Sequence, residues 1–476
     1  MSYVLAWLLP WLTGTGLCLA LTRGPRARGD VPAAMGAGFL LGLLLTAVLA
    51  AQLASGDTEQ AFVRTAPWLS GIGLLAWAAV YALRHRGPRP QMARLSRGWQ
   101  AICIVLLLAI GFRLWLLGSE AWLRPVFPWD AWTAWAVKPK TWFLLDHWVP
   151  FVAMDDWLAV GDGAVRTMPA WRYPDCLAWI EIWFASAAGG WNEPLVNLVW
   201  CGVLAALGLA SYGHWRALGV STPLALGLVY AMLSLPLLNA HVALAGYADL
   251  WLTALFGLAV LAWLRWLHRR EYGQLVLALI FAFSMPFIKL EGSVWLLLLT
   301  LVIAAASLPA RWRWLSVGGL LLVGAGALLS GGLALPLLGL GVVHISWGQI
   351  VIPALGSLDL YWRPVGTAML AGLFTLPNWH LLWYALPVIV LLRWRRMCED
   401  RATGALAAML AMCGVFLVTL FFLTDASRWA ADFTSANRLI MHVVPAVMSL
   451  LALLLAGFSP ARADTDPAPN APNAAG

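Results

Sequence analysis

Long runs of apolar residues recur along almost the whole chain, separated by short polar or basic segments. Most runs approach the length of about 20 residues that an α-helix needs to cross the hydrocarbon core of a bilayer. Runs such as 294–308 do not alternate between apolar and polar residues, as a strand of a membrane β-barrel would. The pattern therefore predicts an all-α, polytopic transmembrane protein with about 13 spans. The predicted spans lie near 3–22, 31–53, 65–83, 98–118, 194–213, 221–239, 247–267, 273–289, 292–309, 314–338, 374–392, 402–423 and 438–457.

The composition agrees with a lipid environment. Hydrophobic residues make up 62% of the 476 positions and charged residues only 11%, whereas soluble globular chains carry about 25% charged residues. The net charge of +8 comes mainly from arginines in short blocks between apolar runs, where membrane proteins place them. We therefore expect no nucleic-acid partner. The six cysteines form no CxxC pair, so we expect from them neither a disulfide nor a metal site.

The arginine blocks also predict the orientation of the chain. Blocks near 23–28, 84–97, 265–270, 311–313 and 393–401 all fall on one side of the predicted spans, which should be the cytoplasmic side. The first apolar run is followed rather than preceded by arginines, which indicates an uncleaved helix with its N-terminus outside. The C-terminus is then cytoplasmic, and we expect a multi-pass protein of the inner (plasma) membrane.

Three parts of the chain follow from these spans. Residues 1–97 would hold three N-terminal transmembrane helices, 98–458 a larger transmembrane module, and 459–476 a disordered cytoplasmic tail. The module carries a long external loop, 119–193. Within that loop, 176–189 is apolar but too short to span comfortably, so we interpret it as interfacial or half-inserted.

The external loop contains the first candidate site. Asp130 lies in a tryptophan-rich segment, 128–135, that continues to Lys138. If the segment is helical, its tryptophans share one face, whereas Asp130 and Lys138 lie on another. Facing a cavity, the Asp130 carboxylate could take a proton from an attacking hydroxyl. The alternative is a solvated aspartate in an interfacial helix.

Further candidates lie at the outer ends of later spans. Asp249 opens an apolar span, and it is either a cap of that helix or a cavity residue with His241 as a neighbour. Lys289 and Glu291 occupy a tight outer bend between two spans. Charges at such a depth are costly unless they are paired or face water, so these two form a structural ion pair or line a cavity.

Basic side chains gather before the last span. Arg438 and His442 are four residues apart and should share one helix face, with Arg428 in the preceding loop. Donors in this position could hold a phosphate at the membrane surface. Alternatively, they extend to lipid headgroups.

Taken together, these segments resemble the bacterial members of the GT-C glycosyltransferase superfamily, which are polytopic, mannosyltransferase-like enzymes that use polyprenyl-phosphate sugars. The resemblance covers about 98–457. In that family an acidic residue lies in the large first external loop, and Asp130 fills that place. The other similar motifs are Gly190-Trp191-Asn192-Glu193, Tyr247-Ala248-Asp249-Leu250 (with Trp251 where the family has proline), Lys289-Leu290-Glu291-Gly292 (with Leu290 where the family has asparagine) and Asn437-Arg438.

The resemblance implies a GT-C-like fold and an inverting glycosyltransferase with an external site, where a lipid-linked sugar is the donor because nucleotide sugars are absent. Asp130 would be the general base. The acceptor would be a hydroxyl of a cell-envelope glycan, lipid or protein. No cofactor is certain, and a divalent cation is an option. The resemblance would assign phosphate binding to Arg438, His442 and Arg428, and substrate binding to Asp249, Lys289, Glu291, Lys138 and His241.

Two other functions stay open. A transporter or flippase for a lipid-linked glycan should place ionisable residues near the bilayer midplane, often on broken helices. A membrane scaffold would need none of the candidate residues for activity. Because the charges outside the arginine blocks lie mostly at the outer ends of the spans, the sequence favours chemistry at the external surface.

Overall fold

The computed structural model describes residues 1–23, 27–83, 95–161, 163–354 and 356–456. Two predicted features lie outside these residues: the tail 459–476 and most of the arginine block 84–97. The described chain is mostly helical. In chain order its α-helices are α1 (Ser2–Leu21), α2 (Asp30–Leu53), α3 (Ala61–Leu83), α4 (Arg97–Leu123), α5 (Val137–Leu145), α6 (Met154–Val160), α7 (Cys176–Ala188), α8 (Glu193–Ala217), α9 (Thr222–Leu233), α10 (Pro236–Ala243), α11 (Asp249–Arg269), α12 (Tyr272–Ser284), α13 (Gly292–Ser307), α14 (Ala310–Leu329), α15 (Gly366–Leu370), α16 (Leu382–Leu392), α17 (Trp394–Glu399), α18 (Arg401–Leu423), α19 (Ser427–Ala431) and α20 (Ser435–Leu455).

Short strands and irregular helical turns complete the chain. The strands are β1 (Phe151–Val152), β2 (Arg166–Thr167), β3 (Leu333–Leu337), β4 (Gly341–Ser346), β5 (Gln349–Ile352) and β6 (Gly356–Asp359). The irregular turns are the π-helical Ala131–Trp135 and Ala371–Thr375 and the 3-10 turn Met285–Phe287.

Within the described residues, 8 helices are long and apolar enough to cross a membrane, and the count becomes 9 if the bent pair α9 and α10 forms one span. These eight helices indicate a polytopic, membrane-embedded protein. The predicted number of about 13 spans is not confirmed. The eight helices are α1, α2, α3, α4, α8, α11, α18 and α20.

Prolines explain most of the predicted spans that the structure does not form as single long helices. The predicted span 221–239 breaks before Pro236, and α9 and α10 meet at 60°. Helix α12 ends at Ser284, where Pro286 lies in the 3-10 turn. Helix α16 begins only at Leu382, after Pro377. Proline lacks a backbone N–H and disfavours the helical conformation in the residue before it, so each of these apolar runs is interrupted.

A four-stranded sheet replaces the end of another predicted span, 314–338. Helix α14 ends at Leu329, and Gly331 and Gly332 then adopt positive φ angles of 120° and 131°. The chain continues into an antiparallel sheet with the order β3-β4-β5-β6. Pro336 is tolerated because β3 is an edge strand. This sheet was not predicted, and its first strand lies in an apolar run, rich in glycine and containing proline, that was predicted to be helical.

The short segment 176–189 lies inside the helix bundle. It forms α7, in which 177–185 are all buried, and it packs against α1, α2 and α3. Of the two predicted positions, interfacial or half-inserted, the interfacial one is corrected, because other helices surround 177–185 whereas an interfacial helix would have one face in lipid. These contacts also show that the N-terminal helices pack directly on the larger module.

Helix α11 is the centre of the bundle. Its most apolar window is 100% buried, and it packs mainly against α8, α12 and α20. Near its C-terminal end, buried Arg265 pairs with Asp30 at the start of α2 (2.7 Å) and with Glu271 (2.6 Å). This ion-pair group joins α2 to the core helix. At the opposite end, α11 begins with Asp249.

Candidate functional site

A close approach between two segments brings Asp130 and Asp249 to the same place. Gly246, three residues before α11, has a φ of 112°, and an added Cβ would lie 2.5 Å from the Cβ of Ala131. Only glycine therefore lets the turn before Asp249 lie against the π-helical turn that follows Asp130. The carboxylates of two distant segments then share one basic partner.

That partner is Arg438, in the first turn of α20. Its Nη1 donates a hydrogen bond to Oδ2 of Asp130 and lies 3.9 Å from Oδ2 of Asp249. The guanidinium also lies 5.0 Å from the centre of the Tyr247 ring, within the range of a cation–π contact. Arg438 thus links the external loop, the start of α11 and the start of α20.

Asp249 is fully buried and is held by two further side chains. Lys289 Nζ lies 2.8 Å from Oδ1 of Asp249, and His442 Nε2 lies 3.2 Å from the same oxygen. Lys289 also lies 3.1 Å from Oε1 of Glu291. The cluster therefore joins three carboxylates (Asp130, Asp249 and Glu291) to two cations (Lys289 and Arg438).

Lys289 stays charged because of its partners. Burial alone would lower the pKa of its ammonium group, but the carboxylates of Asp249 and Glu291 raise this pKa above the ordinary value of lysine. A buried charge is costly unless it is paired and hydrogen-bonded, and here two carboxylates provide that pairing.

His442 uses both ring nitrogens inside the protein. The indole Nε1 of Trp295 lies 3.0 Å from Nδ1 of His442, and the ring is fully buried. An indole N–H can only donate, so Nδ1 of His442 must accept and the proton of the neutral ring lies on Nε2, facing Asp249. The phosphate contact predicted for His442 would require one of these bonds to break, so this geometry indicates that His442 positions Asp249.

The remaining predicted residues lie at or beyond the edge of this cluster. His241 is buried, its ring centre is 5.2 Å from that of Tyr247, and no described group bonds its Nε2. Lys138 pairs with Asp175 at 2.7 Å and donates to the Tyr173 carbonyl. Arg428 lies over the ring of its neighbour Trp429, and no described contact joins it to the cluster.

Tyr173, whose carbonyl accepts the hydrogen bond from Lys138, is a further residue of this region that was not predicted from the sequence. Its ring stacks on Trp135 at 4.5 Å. Burial, with a smaller contribution from the carboxylates of Glu291, Asp249 and Asp130, raises the pKa of the Tyr173 hydroxyl to about 12, and Lys289 opposes this rise. Tyr173 also packs against the apolar group Leu290, Leu340 and Val343, so it lies beside the turn that carries Lys289 and Glu291. Trp135 is buried whereas Trp129 and Trp132 are exposed, so the predicted single tryptophan face is wrong: the π-helical turn directs Trp135 inward.

The described residues contain no group of three or more His, Cys, Asp or Glu side chains that could hold a metal ion. The option of a divalent cation therefore gains no support from the arrangement of these residues.

Comparisons of the chain with models of protein families, with curated proteins and with solved structures gave no significant match. The resemblance to GT-C enzymes therefore rests on the short motifs alone, and the function must be argued from the cluster.

Proposed function

We propose that this chain is a membrane glycosyltransferase, which transfers a sugar from a polyprenyl-phosphate donor to an acceptor hydroxyl at the external face. The main support is the position of Arg438 between Asp130 and Asp249, although 308 residues separate Arg438 from Asp130. This arrangement places a reachable carboxylate beside a guanidinium group, which are the two groups that such a transfer needs.

Asp130 is the proposed general base. Its side chain is 38% exposed, whereas that of Asp249 is 0% exposed, so an acceptor hydroxyl reaches Asp130 and not Asp249. The carboxylate takes the hydroxyl proton while the acceptor oxygen forms a bond to the anomeric carbon of the donor. The bond between that carbon and the phosphate oxygen breaks, and the polyprenyl phosphate leaves with the electron pair. A single displacement of this kind inverts the anomeric configuration.

Arg438 is the proposed partner of the departing phosphate. Its described contacts with both carboxylates use Nη1, so Nη2 and Nε are the donors that can turn towards a phosphate oxygen. Guanidinium donors fit the geometry of phosphate oxygens, and a cation in place before the reaction stabilises the negative charge that develops. Lys289 and His442 hold Asp249, which in turn fixes Arg438.

A second candidate function is a transporter or flippase for a lipid-linked glycan. The bent pair α9 and α10 favours it, because discontinuous helices surround the substrate sites of many transporters. His241 on α10 adds a buried ring nitrogen that no described group bonds. A transporter would move the lipid across the bilayer without breaking the bond between sugar and phosphate.

The test compares wild type, Asp130→Asn and Asp155→Asn in proteoliposomes with a radiolabelled pool of polyprenyl-phosphate sugars and native lipid acceptors. Asparagine retains the size of Asp130 and can still accept a hydrogen bond from Arg438, but it is not a base. We expect Asp130→Asn to lose at least about 10²-fold in transfer. Exposed Asp155 lies in the same external loop and makes no described contact with the cluster, so Asp155→Asn should transfer normally.

Equal transfer by wild type and Asp130→Asn would remove Asp130 from the mechanism. Movement of the intact labelled lipid between leaflets, with no new glycosidic bond, would favour the transporter instead.

A further inference from the structure

A cavity that Tyr173 lines lies beside the ion-pair cluster. Its volume is about 680 Å³, and α2, α5, α7, the segment 171–176 and the loop before β4 contribute to its walls. Pockets of roughly 300–1,000 Å³ are typical of small-molecule sites. The cavity is thus large enough for a ligand that the proposed transfer must also bind.

Aromatic rings form one wall of this cavity, and they are held in place by one another. Trp142 packs against Trp179 with ring centres 5.5 Å apart and against Trp148 at 6.1 Å. Its indole N–H donates to the Val149 carbonyl at 2.8 Å, which fixes the ring. Trp171 completes the wall. Such rings offer large, rigid apolar faces with polar edges, which suit ring-shaped ligands that carry both C–H and hydroxyl groups.

The polar end of the cavity consists of Lys138 and Asp175. The Lys138 side chain is only 8% exposed, yet its ammonium group lines the cavity and pairs with Asp175, which is 41% exposed. This pair offers both a donor and acceptors to a ligand hydroxyl. Arg172 extends the polar end over the Trp171 ring, and its Nη1 donates to the Pro353 carbonyl of the sheet region at 2.6 Å.

Another part of the cavity wall belongs to α2, one of the candidate membrane spans. Ala47, Val48 and Ala51 line it there, and their small side chains leave room between α2 and the aromatic wall. Val48 is exposed on the surface of the bundle, and an exposed apolar residue on such a helix faces lipid. The cavity therefore extends from the lipid-facing side of α2 to a charged pair.

Tyr173 connects the cavity to the cluster. It lines the cavity, and its ring stacks on Trp135 in the turn that follows Asp130. It also packs against the apolar group Leu290, Leu340 and Val343, which includes the neighbour of Lys289 and Glu291. A ligand that fills the cavity with a hydroxyl directed past Tyr173 would present that hydroxyl to Asp130.

We propose that this cavity binds the acceptor, and that the acceptor is a saccharide carried on a lipid of the outer leaflet. The aromatic wall and the Lys138–Asp175 pair recognise the sugar, and the gap at α2 admits the apolar chain. This inference rests on the proposed glycosyl transfer for the role of the ligand, but binding can be tested without any transfer reaction.

The experiment uses the purified full-length chain in nanodiscs and photoreactive probes. The probes are four diazirine-bearing decyl glycosides (glucoside, galactoside, mannoside and arabinoside), a decyl diazirine with a diethylene glycol head, and a methyl glucoside diazirine without the chain. Mass spectrometry identifies the labelled peptides. We expect at least one decyl glycoside to label peptides within 142–179, and both incomplete probes to label them at least about tenfold less.

Two variants change the cavity from opposite sides. Trp171→Ala removes part of the aromatic wall, and Ala51→Trp fills the gap at α2; each should reduce glycoside labelling about tenfold. The matched controls are Trp122→Ala on α4 and Val31→Trp on α2, which replace exposed residues outside the cavity and should label as wild type does. Thermal unfolding of each variant, followed by tryptophan fluorescence, verifies folding.

Equal labelling by the diethylene glycol probe would show a plain lipid groove and overturn the proposal, as would labelling that neither cavity variant reduces. Specific labelling combined with full transfer activity of Asp130→Asn would support the saccharide site and contradict only the proposed role of Asp130 as the base.

Discussion

Arg438 donates a hydrogen bond to Asp130 across 308 positions of sequence, and the two side chains are 20% and 38% exposed. An ion pair with this exposure contributes only about 0–1 kcal/mol to stability. The pair is therefore not needed to hold the fold, although it connects the external loop to the last helix. The exposure of the Asp130 carboxylate agrees with its proposed role as a base that an acceptor hydroxyl can reach.

Arg438→Lys is expected to lower transfer by about 10²-fold. Lysine keeps the positive charge but lacks the planar fork of donors, so it cannot bind two phosphate oxygens through a pair of parallel hydrogen bonds. Transfer of the radiolabelled sugar in proteoliposomes measures the loss. The control is Arg124→Lys, which changes an exposed arginine paired with Glu120 at 3.0 Å and should leave transfer unchanged. Normal transfer by Arg438→Lys would show that positive charge alone suffices at this position.

Lys289→Met and Asp249→Asn should each lower the free energy of unfolding. The double variant should lose less than the sum of the two single losses. Either change alone leaves the partner as a buried charge without its main counterion, which costs about 3–5 kcal/mol, whereas the double variant removes both charges. Unfolding is measured by circular dichroism in mixed micelles with an increasing fraction of denaturing detergent. It gives the free energies of unfolding of the two single variants and the double variant.

The matched control for this cycle is Lys140→Met. Lys140 pairs with Glu193 at 2.8 Å, but its side chain is 47% exposed. We expect a loss of about 0–1 kcal/mol there. Strict additivity in the Lys289 and Asp249 cycle would mean that the two side chains do not interact, contrary to their 2.8 Å separation.

His442 should be a neutral imidazole with its proton on Nε2. In ¹⁵N spectra of histidine-labelled protein in micelles, its Nδ1 is expected to show the shift of an unprotonated acceptor. Trp295→Phe removes the N–H that bonds this nitrogen at 3.0 Å and should change the Nδ1 shift. Trp263→Phe is the control, because Trp263 is also fully buried and no described group bonds its indole nitrogen. A proton on Nδ1 of His442 would contradict the arrangement around Asp249.

Local patterns predicted the helical, membrane-embedded class well, because the apolar runs recur along the chain. They did not predict where the helices are interrupted, because Pro236 and Pro286 break apolar runs without lowering the hydropathy of those runs. The sheet that begins at β3 was missed for a related reason: hydropathy does not distinguish a short apolar strand from a helix. The positions of Gly331 and Gly332 were the available signal for the end of that helix.

The residues of the candidate site were predicted from the sequence, but their arrangement in space was not. Asp130, Asp249, Lys289, Glu291, Arg438 and His442 were noticed because charges at the ends of apolar runs are conspicuous. Tyr173 and Trp295 were missed, since an aromatic residue in a tryptophan-rich membrane protein carries no such signal. That His442 bonds Trp295 on one side and Asp249 on the other follows only from the packing of α11, α13 and α20.

The side of the membrane that the cluster faces can be tested with cysteines. Leu290, in the turn that carries Lys289, packs against Leu340 and Val343 of the sheet region, so the sheet and the cluster lie on the same side.

Trp347, at the tip of the β4–β5 turn, is 74% exposed, and Cys398 is exposed on α17 within an arginine block. We expect a membrane-impermeant maleimide to label Trp347→Cys in intact cells, in a Cys398→Ser background. Wild-type Cys398 should be labelled only after the cells are broken, because arginine blocks stay in the cytoplasm. The double variant Trp347→Ala with Cys398→Ser gives the background from the other five cysteines. Labelling in the opposite order would place the cluster in the cytoplasm, where nucleotide sugars are present, and would remove the reason for a lipid-linked donor.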